Sequence, residues 1–315
     1  MNQMHAPAYA FAQYHNQPDT SALHKNLVAM WAAIRNETNG RVEGTTYPEN
    51  NKLAGGDPQV LNMLMEGEIQ FFTLMGGVIG TVVPVAEAQQ MPFAFKSAAE
   101  AQRAIDGPLG RHIGEEMAAK GIYLFPVAGF DNGMRQVTAI DRPIIRPEDL
   151  VGMKIRVPPG QIVFDTFAAF GAEPITTTSN GIYQALQSRM VDAQENPLAV
   201  AEGFKLYQLV NYVSMTNHMW SGFNLMAHLP TWQRLPDDIK TVIDRNVASY
   251  VRAQRLEQGR LNASLRTTFE QRGLIFNDVD QAPFRARLGG LYASWREKLG
   301  ARCWSLLEAS SGRLV

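Results

Sequence analysis

The chain has 315 residues, of which 45% are hydrophobic and 19% charged, a composition that argues against disorder and predicts about two globular domains. A net charge of −1 gives no electrostatic signature of nucleic-acid binding, and we expect no nucleic-acid partner. A single cysteine, Cys303, excludes an intramolecular disulfide bond and a zinc site built on cysteines. The longest weakly polar run, residues 71–86, is interrupted by glycines and a proline and is too short to span a membrane.

Strand and helix patterns alternate through the first hundred residues. Residues 8–14, 42–47 and 69–74 are rich in apolar and β-branched side chains and predict strands. Residues 21–37 and 58–66 carry apolar side chains at helical spacing. This βαβαβ order predicts an α/β domain with a mostly parallel sheet.

A second α/β unit follows. Its predicted strands cover residues 122–128, 135–139, 153–157 and a short segment from 191, and its predicted helices cover 161–170 and 180–189. Residues 236–272 then predict one long helix of roughly 50 Å, with Gly259 as the candidate position for a break. A continuous helix of this length would touch both units.

Common catalytic motifs are absent from the sequence. It contains no GxGxxG, no P-loop, no GxSxG nucleophile elbow and no HExxH. His112 and Glu115 lie one helical turn apart, but a solvated helix face explains them better than a metal site does. We therefore expect no enzyme activity, no catalytic residues, no metal and no cofactor.

Three polar residues are candidates for binding an anion. In residues 153–157 the alternation places Arg156 opposite the apolar side chains, towards solvent or a cleft, and its guanidinium matches a carboxylate. Asn196 precedes a proline and could donate its amide to an anionic oxygen, and Arg135 is a second candidate cation. The residues alone favour an exposed Arg156 and an ordinary strand-ending turn at Asn196.

Several motifs in one order resemble the solute-binding proteins of TRAP transporters, the tripartite ATP-independent periplasmic uptake systems for organic acids. The resemblance covers about residues 8–270. Its motifs include TNGRV at 38–42, GMRQVT at 133–138, KIRVP at 154–158, YQALQ at 183–187, VDAQENP at 191–197 and TNH at 216–218. Each motif is weak alone, and their common order and spacing carry the resemblance.

The resemblance implies a two-lobed periplasmic-binding-protein-like α/β fold, in which each lobe is a sheet flanked by helices and a long helix bridges both lobes. Lobe I would contain residues 1–132 plus about 222–261, and lobe II residues 133–221 plus about 262–315. The lobes would close on one organic acid and deliver it to the membrane permease subunits. We expect a periplasmic monomer. Met1–His5 has no basic or apolar signal-peptide region, so a signal peptide would be absent from this sequence.

The resemblance also assigns roles to the three polar residues. Arg156 would pair with the ligand carboxylate, Asn196 would hydrogen-bond the same group, and Arg135 would either support or contact the ligand. These implied roles reverse the preference for an exposed Arg156 and a simple turn at Asn196. The family often has glycine at the positions of Arg189 and Ala193, so both backbones are expected at positive φ.

The expected ligand follows from departures at two positions. In sialic-acid-type relatives a glutamate follows the third strand and a phenylalanine precedes the YxALQ helix, where this chain has Met75 and Ser179. A sugar acid is therefore disfavoured. Apolar and aromatic side chains are expected nearby, and the prediction is a monocarboxylate with an apolar or aromatic body, with 2-oxo and 2-hydroxy acids as candidates. The expected lining residues are Phe72, Met75, Ser179 and Trp220, with Gln13, Tyr14 and His15 near the 2-oxo or 2-hydroxy oxygen.

Two alternatives remain open at this stage. One is an enzyme that acts on carboxylic acids and uses Arg156 as a substrate clamp, although no nucleophile or base can be named beside it. The other is a receptor that presents its ligand to a signalling ectodomain instead of a permease.

Overall fold

A computed structural model describes residues 6–314 of the chain. Residues 1–5, on which the expectation about a signal peptide depends, lie outside the described residues, as does Val315. The strands in the described part are β1 (Tyr9–His15), β2 (Val42–Tyr47), β3 (Phe71–Met75), β4 (Ile122–Met134), β5 (Gln136–Ala139), β6 (Lys154–Val157), β7 (Glu173–Thr176), β8 (Ala193–Asn196), β9 (Tyr212–Met215), β10 (Trp220–His228) and β11 (Ile275–Asp278).

Helices separate most of these strands. They are α1 (Ala22–Glu37), α2 (Gly56–Glu66), α3 (Gly76–Ile79), α4 (Ala98–Ile105), α5 (Pro108–Ala118), α6 (Gln161–Ala169), α7 (Ile182–Gln187), α8 (Leu198–Gly203), α9 (Leu229–Gln233), α10 (Asp237–Gln271), α11 (Ala282–Ala286) and α12 (Gly289–Ser311). Short 3₁₀ segments include Pro48–Lys52 and Pro84–Gln90.

The strands form two sheets flanked by helices. The first has the order β2-β1-β3-β10-β4, in which β1 is parallel to β2 and β3, and β10 is antiparallel to β3 and β4. The second has the order β11-β9-β5-β8-β6-β7, in which β5 is antiparallel to both neighbours. We call the units around these sheets the first and second lobes. The predicted α/β class with two sheets is confirmed.

Within residues 6–314, three connections join the two sheets. Strand β4 leaves the first sheet at Met134 and continues through Arg135 into β5 of the second sheet. Residues 216–219 lead back from β9 to β10, and the backbone N–H of Arg135 donates to the carbonyl of Met219 at 2.8 Å. The two crossing segments therefore run side by side, and α10 provides the third connection.

Helix α10 confirms the prediction of a long helix. It runs for 35 residues without a break at Gly259, and its length is about 50 Å. Asp237 and Asp238 lie in its first turn, where negative charge complements the helix dipole. The helix packs against β4 and α1 of the first lobe and against α8 of the second. It therefore touches both lobes, as expected.

Helix α12 packs against α4 and α5 beside the first sheet and also reaches α6 beside the second. The expected division had placed residues 262–315 with the second lobe, and this division of the chain stays a prediction. A large buried apolar cluster fills the first lobe and continues into β6 and α6. Within residues 6–314, none of the helices combines the length and the apolar character that crossing a membrane requires.

Candidate functional site

A small buried cavity of about 20 Å³ lies between the lobes. The first lobe contributes residues at or just after the ends of β1 and β3, and the second contributes residues at the ends of β6 and β8. Ligands of α/β proteins bind in such crevices at the carboxyl ends of strands. The residues that matter for its chemistry are Asn16, Asp57, Met75, Arg135, Arg156 and Asn196.

Arg156 lies in β6 and is only 2% exposed, so the solvent-facing position that the strand pattern favoured is wrong. Its Nε donates to Thr177 Oγ1 at 3.0 Å and its Nη2 to the Thr177 carbonyl at 2.5 Å. Among the described residues, its hydrogen bonds go to Thr177 alone. A guanidinium has five N–H donors, so these bonds leave donors for a ligand. Burial lowers the pKa of Arg156 to about 9, which keeps it cationic at neutral pH.

Arg135, by contrast, is neutralised inside the protein. Its Nε and Nη2 both donate to the Glu195 carboxylate, the second at 2.6 Å to Oε1, and both residues are fully buried. Nη2 also donates to Asn196 Oδ1 at 3.1 Å. Burial alone would raise the pKa of Glu195, but the Arg135 charge and the hydrogen bonds from Arg135 and His218 lower it. The geometry gives Arg135 a supporting role, although it also lines the cavity.

Asn196 ends β8 and is held on both sides of its amide. Its Oδ1 accepts from Arg135, and its Nδ2 donates to Gln194 Oε1 at 2.6 Å. One N–H of the amide group is left for an anionic oxygen in the cavity. Strand β8 therefore presents Asn196 to the cavity and Glu195 to Arg135.

Asp57, a buried carboxyl in the first turn of α2, was not predicted from the sequence. Asn16 Nδ2 donates to one of its oxygens at 2.9 Å, and Asn50 Nδ2 donates to the other at 2.6 Å. Asn50 is positioned by a left-handed turn with φ of 52°, a conformation that asparagine tolerates well. Burial raises the pKa of Asp57, while the two amide bonds and the Arg156 charge oppose that rise.

Two more expected residues, Met75 and Ser179, line the cavity together with Ile182 and Phe223. Four others lie outside its lining: Phe72 is in the core, Trp220 donates to Asp131, Gln13 bonds Thr73, and Tyr14 stacks on Tyr47. Ligand contact by these four stays a prediction.

At the end of β1 the structure places a different pair of side chains in the cavity. His15 bonds His24 at 2.9 Å, and burial, with His24 adding to it, lowers the pKa of His15 to about 3. His15 is therefore neutral, and its Nε2 is hydrogen-bonded to His24 within the protein. Asn16 and Gln17, the next two residues, line the cavity instead. The predicted strand end lies at the cavity, where it contributes Asn16 and Gln17, and ligand contact by His15 stays a prediction.

The two positions expected at positive φ behave differently. Arg189 has φ of 57°, as the glycine of related sequences predicted, and its side chain reaches Asp141 at 2.6 Å. Ala193 lies in β8 in extended conformation, so the expectation there is wrong. Neither residue lines the cavity. Arg189 lies in the turn after α7, and Ala193 begins β8, whose other end carries Asn196.

Two lobes with a buried cation and amide groups at the cavity between them define a receptor for a small anion. The chain matches the model of the bacterial extracellular solute-binding proteins, family 7, over residues 13–298. It belongs to this family, which confirms the resemblance to the solute-binding proteins of TRAP transporters.

Known relatives cover nearly the whole chain. A solute-binding protein of Roseobacter denitrificans is 30% identical over 89% of this chain and 87% of its own length. The sialic acid-binding periplasmic protein of Vibrio cholerae is 28% identical over 93% of this chain and 90% of its own. The crystal structure of a TRAP periplasmic solute-binding protein from Polaromonas, bound to D-erythronate, is 25% identical with a TM-score of 0.88, and the match covers 95% of this chain and 98% of that one.

Proposed function

We propose that this protein captures a small monocarboxylate in the periplasm by lobe closure and delivers it to the subunits of a TRAP membrane permease. The observation that carries the proposal is Arg156, a buried cation at the cavity whose hydrogen bonds, among the described residues, go to Thr177 alone. A ligand carboxylate can take the remaining donors, and each bond to a charged group contributes about 1.5–3 kcal/mol. Two such bonds supply much of the roughly −8 kcal/mol that a micromolar dissociation constant requires.

The charges of the cavity favour one carboxylate over two. Glu195 already neutralises Arg135, so among the described residues that line the cavity Arg156 is the cation left for a ligand. Asp57 adds a carboxyl whose pKa burial raises, and a second ligand carboxylate would meet it without a further cation. A dicarboxylate is therefore the weaker candidate.

The body of the ligand is proposed to be apolar or aromatic, with 2-oxo and 2-hydroxy acids as the first candidates. Met75, Ile182 and Phe223 give the cavity apolar surface that a polyhydroxylated body would not pair with. D-erythronate, bound by the Polaromonas relative, carries a hydroxyl beside its carboxylate and two more along its chain, so it supports the 2-hydroxyl group and not the apolar body. Here the amide of Asn16 and the carboxyl of Asp57 are the groups suited to such an oxygen.

Closure follows from the division of these contacts between the lobes. Arg156 and Asn196 belong to the second lobe, while Asn16, Asp57 and Met75 belong to the first. A ligand that contacts both sets binds the closed arrangement more tightly, and it favours closure by that difference in affinity.

The test is isothermal titration calorimetry of purified protein against a panel of monocarboxylates, dicarboxylates, sugar acids and amino acids. We expect a hit among the monocarboxylates that weakens at least a hundredfold in Arg156→Ala, since two charge-assisted bonds are lost. Arg146→Ala, at an exposed arginine of the same lobe, is the matched control and should bind normally. If Arg156→Ala keeps the wild-type affinity, Arg156 is not the anchor.

The two alternatives predict other results. A carboxylic-acid enzyme would return an altered ligand, so recovery of the acid unchanged after binding, checked by mass spectrometry, supports a receptor. Capture of a permease subunit by the ligand-loaded protein supports transport, and capture of a signalling ectodomain instead would favour presentation to a sensor.

A further inference from the structure

A second cavity of about 540 Å³ lies beside α10, and we call it the hinge cavity. Both lobes and the hinge contribute walls. The N-terminal part of α1 supplies Leu23, the end of α8 supplies Gly203, and α10 supplies Leu261. Its volume is within the range of pockets that hold small organic molecules.

The hinge cavity adjoins the anion-binding cavity. Gln17, Asn132 and Phe223 line both of them. The space beside Arg156 is only about 20 Å³, enough for one water molecule, so the body of any larger acid must extend beyond it. The hinge cavity, which these three residues connect to the anion-binding cavity, is large enough for the body of the ligand.

The polar groups on the floor of the hinge cavity are already paired within the protein. Gln254 accepts from the backbone N–H of Asp131 and donates to its carbonyl, both at 2.8 Å, and Gln258 donates to the Asn132 carbonyl at 3.3 Å. Trp220 donates to the Asp131 carboxyl at 2.9 Å. An apolar group can therefore enter the cavity without leaving a buried polar group there unpaired.

Apart from Asp131, whose buried carboxyl accepts from Trp220 on the floor, the charged side chains of the hinge cavity stand towards its rim. Lys25, Lys205 and Glu257 are solvent-exposed, and Glu257 accepts from Asn26 at 2.8 Å. Deeper in the cavity the walls include the buried side chains of Leu23 and Phe223. This arrangement suits an uncharged apolar group inside and does not need a charged one.

We infer that the hinge cavity is the subsite for the body of the ligand, and that the ligand is an acid whose uncharged apolar or aromatic tail extends past Phe223 towards α10. This inference rests on the proposed function, because it takes the carboxylate at Arg156 as the fixed end. It adds the length of the ligand and the place of its tail.

The test compares lactate with 3-phenyllactate, which share the carboxylate and the 2-hydroxyl and differ by a phenyl ring. Burial of the ring should make 3-phenyllactate bind at least tenfold more tightly to the wild-type protein in calorimetry. Leu261→Trp fills the hinge cavity from α10 and should remove this advantage while lactate affinity changes less than twofold. Gly203→Leu is a second variant, which narrows the cavity from α8. A Cβ at position 203 meets Pro18 at ordinary van der Waals distance, so the substitution should be tolerated.

The matched control is Gly259→Trp. Gly259 lies on α10 two residues from Leu261, and a Cβ there meets open space. This variant should leave the affinity for both acids unchanged. Thermal unfolding of each variant checks that it is folded.

The outcomes separate the inference from the proposed function. If both cavity variants keep the advantage of 3-phenyllactate, while Arg156→Ala still abolishes binding of both acids, the hinge cavity holds only water and the inference is wrong. Equal affinity of the two acids for the wild-type protein overturns it as well. If binding of neither acid depends on Arg156, the proposed function itself fails.

Discussion

Glu87 offers the sharpest test of the electrostatics between the lobes. It lies in the 3₁₀ segment of the first lobe, is 1% exposed, and its Oε2 accepts from the backbone N–H of Ile162 in the first turn of α6 at 2.5 Å. Burial raises the pKa of Glu87 to about 7 from 4.5. The groups that face it are Lys298 of α12, with Nζ 3.8 Å from Oε1, and Asp165 of α6.

The sign of the effect follows from linkage. Between pH 4.5 and about 7 the folded protein keeps a proton on Glu87 that the unfolded chain has lost, so the free energy of unfolding falls as pH rises through this window. At about 1.4 kcal/mol for each unit of pKa, the full change is about 3 kcal/mol. Glu87→Gln keeps an acceptor for Ile162 and removes the titration. The attraction of Glu87 to half-exposed Lys298 is worth less than about 1 kcal/mol and is already contained in the pKa of about 7.

We therefore expect Glu87→Gln to match the wild-type stability near pH 4.5 and to exceed it by about 3 kcal/mol at pH 8. Urea unfolding followed by tryptophan fluorescence at both pH values measures the difference. Glu68→Gln, at an exposed glutamate of the same lobe, should show no such pH-dependent gain. A constant difference between wild type and Glu87→Gln at all pH values would refute the account of a buried, protonated Glu87.

Four further predictions concern the cavity. Arg156→Lys keeps the charge but loses the planar fork, and calorimetry should show at least tenfold weaker binding of the carboxylate, whereas unchanged affinity would remove Arg156 as anchor. Met75→Glu should weaken an apolar acid by a similar factor, and no effect would place the ligand elsewhere. Glu195→Gln leaves Arg135 buried without its counter-charge and should lower the free energy of unfolding in urea by about 3–5 kcal/mol; a loss below about 1 kcal/mol contradicts this. Burial raises the pKa of Asp57, and ionisation would repel the ligand, so affinity should fall with rising pH in the wild type and lose that dependence in Asp57→Asn.

Local patterns were sufficient for much of the first sheet. The alternation of strand and helix through residues 8–74 matches β1, α1, β2, α2 and β3 within a few residues, because each has one buried face or a short buried run between clear turns. Strand β10 gave no such signal. All but the last of its residues are buried, so it lacks the alternation of a half-exposed strand, and its antiparallel place between β3 and β4 depends on distant partners.

The C-terminal helix was missed for a different reason. Helix α12 begins with Gly289 and Gly290 and contains Gly300 at φ of 78°, so its pattern is interrupted and two shorter helices meet at that residue. Glycine has low helix propensity, and local preference argues against the element. Packing of Trp295 and Trp304 into the core of the folded protein supplies what local preference lacks.

The motifs identified both arginines of the site and assigned the ligand carboxylate to Arg156, but they left open whether Arg135 supports or contacts the ligand. A guanidinium in a strand has the same local signature whether or not a carboxylate faces it. Glu195 distinguishes them, because β8 pairs with β5 and thereby brings Glu195 to Arg135, while Arg156 meets Thr177. The residues that contact each arginine thus decide whether its positive charge is free to pair with a ligand carboxylate.

Asp57, which also sets the charge of the cavity, could not be found from the sequence. It follows two glycines in a loop-to-helix segment with no motif, and only the folded arrangement of the two lobes places it at the cavity that Arg156 also lines. With Asp57 protonated, the cavity carries one uncompensated positive charge, and a monocarboxylate neutralises it. With Asp57 ionised, the cavity is already neutral and the incoming carboxylate is repelled. Affinity and proton uptake are therefore coupled through Asp57, so binding of the acid should draw a proton into the cavity whenever the pH lies near the pKa of this carboxyl.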